Sequence, residues 1–173
     1  MISLYDASIP VFIRALQNMD AFLDKGAAWF AEQGRPESEL TTARLYEDMA
    51  PLTAQIQRAS DTSKGVGVRI GEVVNVAMAD EELTIADLKA RIAKTIAFLQ
   101  TVPRETFDDK EGAVVEIRTP NRTLVFNGRD YVLDFAIPNF FFHVTTAYAL
   151  LRKEGVPVGK MDYLGPIETR PNE

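Results

Sequence analysis

The side chains that could do chemistry in this chain centre on one residue. His143 is the only histidine among 173 residues, and cysteine is absent. It lies in "PNFFFHVTTAYALLRKEG", residues 138–155, a run of aromatic and aliphatic residues that reads as helix. An imidazole in such a place can ligate a metal, move a proton, or sit hydrogen-bonded in a core. Residues three and four apart share a helix face. His143 therefore lines up with Asn139, Thr146 and Leu150, while Phe140, Val144, Ala147 and Leu151 form the adjacent apolar stripe. Two readings follow. Asn139, His143 and Thr146 are either a hydrogen-bonded structural cluster satisfied by a neighbouring helix, or the wall of a pocket with His143 as acid or base.

Ligand supply weighs against a metal. A catalytic zinc site takes three protein ligands, commonly histidines, with a carboxylate sometimes replacing one. This chain offers one histidine, no thiolate and 25 carboxylates. Of the carboxylates, Asp48, Asp61 and Asp134 fall near apolar faces, and each has a plain alternative, Asp48 as a helix-opening cap and Asp134 as a solvated residue. No cofactor is expected. Other chemistry is poorly supplied. "SKGVGVRIGE" holds glycines without the pattern of a phosphate loop, and the serines have no histidine near them in sequence. Arg152 and Lys153 complement the end of a helix. Gln55, one residue before the apolar-stripe residue Ile56, can point into the bundle or lie on an exposed face.

The elements that must hold these residues are mainly helices. Residues 3–31 follow helical spacing through Ile9, Phe12, Ile13, Leu16, Met19, Leu23 and Phe30. Ser3 and Asp6 have the spacing of a capping box. Pro10 either bends this helix or marks its first turn with Ser8 as cap. A short helix is expected at 37–44 and a second long one at about 46–72, weakened or broken by a turn at Gly65 and Gly67. Thr84 and Asp87 open a third long helix, ending near 101 ahead of Pro103. Residues 113–126 read as a hairpin turning at "TPNRT". Residues 130–153 form the last long helix, kinked or split at Pro138, and the segment after Gly155 reads as extended. The result is an all-α four-helix bundle with a small β-hairpin inserted before the last helix, in one domain spanning 1–173. The last helix is apolar on nearly every face and needs cover on more than one side, so a homodimer is expected.

Composition bounds the partners. Net charge is −6, and the 19 Lys and Arg include no run of three, which argues against nucleic acid. No stretch has the roughly 20 uninterrupted apolar residues that a bilayer span needs. The N-terminus has no basic-then-apolar leader pattern. A cytoplasmic protein without membrane contact is expected.

Four segments in order carry a family resemblance: "SLYDASIPVFIRAL", "ARLYEDMAPLTAQIQRASD", "TIADLKARIAKTIAFL" and "IPNFFFHVTTAYALLRKEGVPVGKMDYLG". Together they resemble an uncharacterised bacterial family, a domain of unknown function, similar to the DinB/YfiT-like superfamily of proposed metalloenzymes. The resemblance implies a four-helix bundle, often dimeric. It implies a divalent metal held by one histidine on the second helix and two, four residues apart, on the fourth, and in some members thiol-dependent transferase or isomerase chemistry. Aligned through "LLRKEGVP", His143 falls at the second of the fourth-helix positions and Asn139 stands at the first. No histidine is available for the second helix. The resemblance thus implies a degenerate metal site, with Asn139, His143, Thr146 and Gln55 lining a pocket that takes a small molecule. The alternative it implies is a thiol-dependent transferase or isomerase with His143 as acid or base.

Overall fold

The structure, a computed structural model, describes residues 2–119 and 121–167. Helix α1 spans Leu4–Glu32, and its start is fixed locally. The Ser3 side chain accepts from the Asp6 backbone N–H at 3.2 Å while Asp6 accepts from the Ser3 N–H at 3.2 Å. The helix then runs through Pro10. Ser8 is therefore not a cap. It is buried inside the second turn and donates to the Leu4 carbonyl at 2.6 Å. The short helix is α2, Glu37–Thr41, three residues shorter than the sequence implies.

The second long helix, α3, spans Leu52–Arg69 rather than 46–72. Pro51 stands at its N-cap in an extended conformation. Proline disfavours a helical residue before it, which favours a helix start here. Asp48 caps nothing and is exposed in the preceding turn. The helix passes through Gly65 and Gly67 without a break, and both are buried. A Cβ on Gly67 would lie 3.0 Å from Phe98 and 3.0 Å from Val102. The missing side chain lets α3 approach its neighbour closely, which outweighs the weak helix propensity of glycine.

Helix α4, Ile85–Gln100, opens on the expected box: the Asp87 N–H donates to Thr84 Oγ1 at 3.1 Å. A 3-10 turn at Arg104–Phe107 leads to β1, Val114–Arg118, and β2, Thr123–Asn127. The strands pair antiparallel with Val115 opposite Phe126 and Ile117 opposite Leu124. Their turn is closed by the Thr119 N–H donating to the Arg122 carbonyl at 2.9 Å. Pro120, part of the expected turn signal, lies outside the described residues.

The last long helix is continuous and changes pitch. It begins as α5, Gly128–Asp130, widens into a π-helical segment at Tyr131–Ala136, and continues as α6, Ile137–Lys153. Pro138 does not split it. A proline ring collides with the carbonyl four residues back, and the wide turns just before it move those carbonyls aside. The segment read as extended contains a one-turn helix, α7, Lys160–Leu164. It is tied to α1 by Asn18 Nδ2 donating to the Tyr163 carbonyl at 3.0 Å and by a Lys25–Asp162 ion pair at 2.6 Å. Residues 168–173 of that segment lie outside the described residues.

Helices α1, α3, α4 and the α5–α6 rod form the bundle. The core between them is built from Phe12, Leu16, Met19 and Leu23 of α1, Ile56 and Val66 of α3, Leu88, Ile92 and Leu99 of α4, and Phe140, Val144 and Leu151 of α6. Phe12 and Phe140 meet with ring centroids 4.6 Å apart. Among the described residues no helix is long and apolar enough to cross a membrane.

Candidate functional site

His143 is buried where α6 packs on α3, with 6% of its surface exposed. Its Nδ1 lies 2.8 Å from Gln55 Oε1. Gln55 is itself 1% exposed, and its amide nitrogen donates to the Ala50 carbonyl at 2.8 Å. That second bond fixes the chemistry of the first. A carbonyl can only accept, so the Gln55 nitrogen faces Ala50 and its oxygen faces the imidazole. The oxygen also only accepts, so Nδ1 carries a ring proton, and in the neutral ring Nε2 keeps its lone pair.

The ring is held neutral. Burial penalises the imidazolium, and the Arg58 charge adds to the effect, lowering the His143 pKa to about 4 from the usual 6.5. Arg58 is exposed on α3, one turn after Gln55, and has no ion pair among the described residues. One turn further along α3, Thr62 accepts a hydrogen bond from Asn139 Nδ2 at 2.7 Å and donates its own proton to the Arg58 carbonyl at 2.7 Å.

The four residues suggested by the sequence are therefore distributed as two cross-helix pairs and one bystander. His143 meets Gln55. Asn139 shares the face of His143 but is bonded to Thr62. Thr146 is buried and donates to the Phe142 carbonyl of its own helix at 2.7 Å. Thr62 was not legible as a site residue, although it follows Gln55 at helical spacing. Next to this face runs an apolar groove of about 440 Å³, lined by Leu45, Phe141, Phe142, Thr145, Thr146 and Ala149.

A divalent metal does not fit these residues. The sequence-suggested donors are one imidazole and two amides that are already bonded, and the Arg58 charge opposes a second cation on the ring. No three His, Cys, Asp or Glu side chains are grouped to hold a metal among the described residues. Asp61 bonds Arg91 at 3.0 Å, and Asp48 and Asp134 are exposed.

The chain is matched over residues 4–164 by the family described as Domain of unknown function (DUF1993). No curated protein matches it. A solved structure, that of a DinB family member protein from Shewanella denitrificans, is 33% identical, with a TM-score of 0.88 over 98% of this chain and 96% of the other. The chain belongs to the DUF1993 family, a family of DinB-like helical bundles.

Proposed function

We propose that this protein is a small-molecule-binding, homodimeric DinB-like bundle whose metal position is degenerate. The observation that carries this reading is the doubly anchored Gln55 amide, bonded to Ala50 on one side and His143 on the other. It places a proton on Nδ1, and with the ring kept neutral by burial Nε2 is left with an acceptor lone pair. Such an atom receives a hydrogen bond from a ligand N–H, O–H or S–H. The neighbouring groove supplies an apolar wall for the rest of the molecule. Elemental analysis of the purified protein tests the degenerate site: zinc and nickel are expected well below one per chain, and a stoichiometric, tightly held metal would overturn it. Ligand binding is tested by thermal shift against a panel of small thiols and amides, repeated with His143→Ala. Hits of equal strength in parent and variant remove His143 from recognition.

The dimer rests on the outer face of α6. Phe142 is 55% exposed and Leu45 40%, and both border the same groove. A second subunit on this face would bury them and close the groove into a pocket. Sedimentation at micromolar concentration should show a dimer, and monomer alone would end the idea.

The alternative of a thiol-dependent transferase or isomerase asks His143 to hold a proton during turnover. A base whose conjugate acid has a pKa of about 4 holds one poorly at neutral pH. The binding reading is therefore the stronger of the two.

A further inference from the structure

A second candidate site lies on a different face of α3. At 100° per residue, Asp61, Lys64 and Val68 point about a third of a turn away from Gln55, Arg58 and Thr62. They form one wall of a cleft of about 410 Å³, and Asn75 and Met78 of the irregular segment 71–83 form the other. Lys64 stands out there. Only 5% of it is exposed, yet it makes no hydrogen bond among the described residues. The nearest carboxylate, Asp61, is 3.6 Å away, and the same Asp61 oxygen accepts from Arg91 at 3.0 Å. Among the described residues, Arg91 Nε is the one sealed side-chain nitrogen without a partner. The Lys64 ammonium is therefore not sealed. Lys64 is one of the residues that line the cleft.

A second cation joins it. Arg69 lines the same cleft and is steadied by donating from Nη1 to the Tyr131 hydroxyl at 3.2 Å. Gly65 makes this possible, because a Cβ there would collide with Arg69 Nη1 and lie 3.0 Å from the Tyr131 oxygen. The cleft thus presents an ammonium with open valences, a guanidinium held in place on one side, and the Asn75 amide. Lys64 has only a long ion pair to a carboxylate that Arg91 shares, and an oxyanion supplies the hydrogen-bond acceptors that it lacks.

We infer that the cleft between α3 and segment 71–83 binds a small organic oxyanion, a phosphate or carboxylate, held by Lys64 and Arg69. The test uses the full chain, labelled for amide NMR and titrated at constant ionic strength with inorganic phosphate and, separately, with succinate. Saturable shifts are expected at Gly65, Val68 and Asn75, with little change at Gln55 and His143. The probe that saturates at the lower concentration identifies the oxyanion. Lys64→Met keeps the side-chain stem, and it should weaken binding at least about tenfold. Arg69→Met should do the same, whereas Arg58→Met should leave binding unchanged. The inference is overturned if neither probe gives saturable shifts, if the shifts centre on Arg58, or if both cleft variants bind like the parent. Should Lys64→Met not fold, the parent shift map and Arg69→Met decide the matter.

Discussion

Acidification should destabilise this protein through His143, its only histidine. The folded-state pKa of His143 is about 4 and the usual value is 6.5. The unfolded chain therefore takes up a proton at a pH where the folded chain does not. Stability tied to this group is fully present above about pH 7 and is lost as the pH falls from 6.5 toward 4. Between about pH 7.5 and pH 5 the two populations differ enough to remove about 2 kcal/mol. The chain has no second histidine. The Arg104 hydrogen bond and ion pair hold Asp6 at about 2, and hydrogen bonds lower Asp87 and Asp162, so all three act at lower pH. The assay is urea unfolding at the two pH values on the parent and on His143→Gln. The parent should lose about 2 kcal/mol and the variant a small part of that. Equal losses in both proteins would refute the reasoning, as would a His143 ring that titrates near 6.5 by proton NMR.

Further expectations follow from the same contacts. Gln55→Leu leaves the His143 Nδ1–H without its acceptor and should cost about 1–3 kcal/mol in chemical denaturation. Gly67→Ala gains helix propensity but drives a methyl against Phe98 and Val102, both 3.0 Å away. Overpacking of about 1–3 kcal/mol should exceed the gain of about 1, and calorimetry should show a lower Tm. Phe142→Glu should dissociate the proposed dimer in sedimentation while leaving the helical circular dichroism intact. Arg58→Met should raise the His143 pKa, yet keep it below 6.5 because burial is the larger cause. An unchanged ring titration would show that Arg58 does not act on the imidazole.

The parts of the fold that were legible are those whose cause is local. The Ser3–Asp6 and Thr84–Asp87 boxes lie within one turn, and the apolar stripes of α1 and α4 need no knowledge of a partner. The hairpin was readable from its β-branched runs. The errors arise where packing overrides a local signal. Gly65 and Gly67 look like breakers until Phe98, Val102 and Arg69 are seen to occupy the space they leave. Pro138 looks like a kink until the π turns before it are seen to absorb its ring. Pro51 was an available signal for the start of α3. At the site, Asn139 and His143 could be placed on one face because their spacing is helical. Their partners could not, because the register of α3 against α6 is set by the whole core.

That register also bears on Arg58. Gln55 and Thr62 are seven residues apart on α3, about 10.5 Å along the axis, whereas Asn139 and His143 are four apart on α6, about 6 Å. The two hydrogen-bonded pairs therefore converge from α3 toward α6. Arg58 lies on α3 between Gln55 and Thr62 in sequence and is exposed. Its charge is felt by the neutral imidazole. The cation opposes protonation of His143 and would oppose a metal at Nε2 for the same electrostatic reason. In a bundle with a metal, the ion ties the two helices together. Here the Gln55–His143 and Asn139–Thr62 bonds connect the same helices, and the charge left over belongs to the protein. A ligand that suits this face therefore brings a donor for Nε2 and tolerates, or carries an acceptor for, the Arg58 guanidinium.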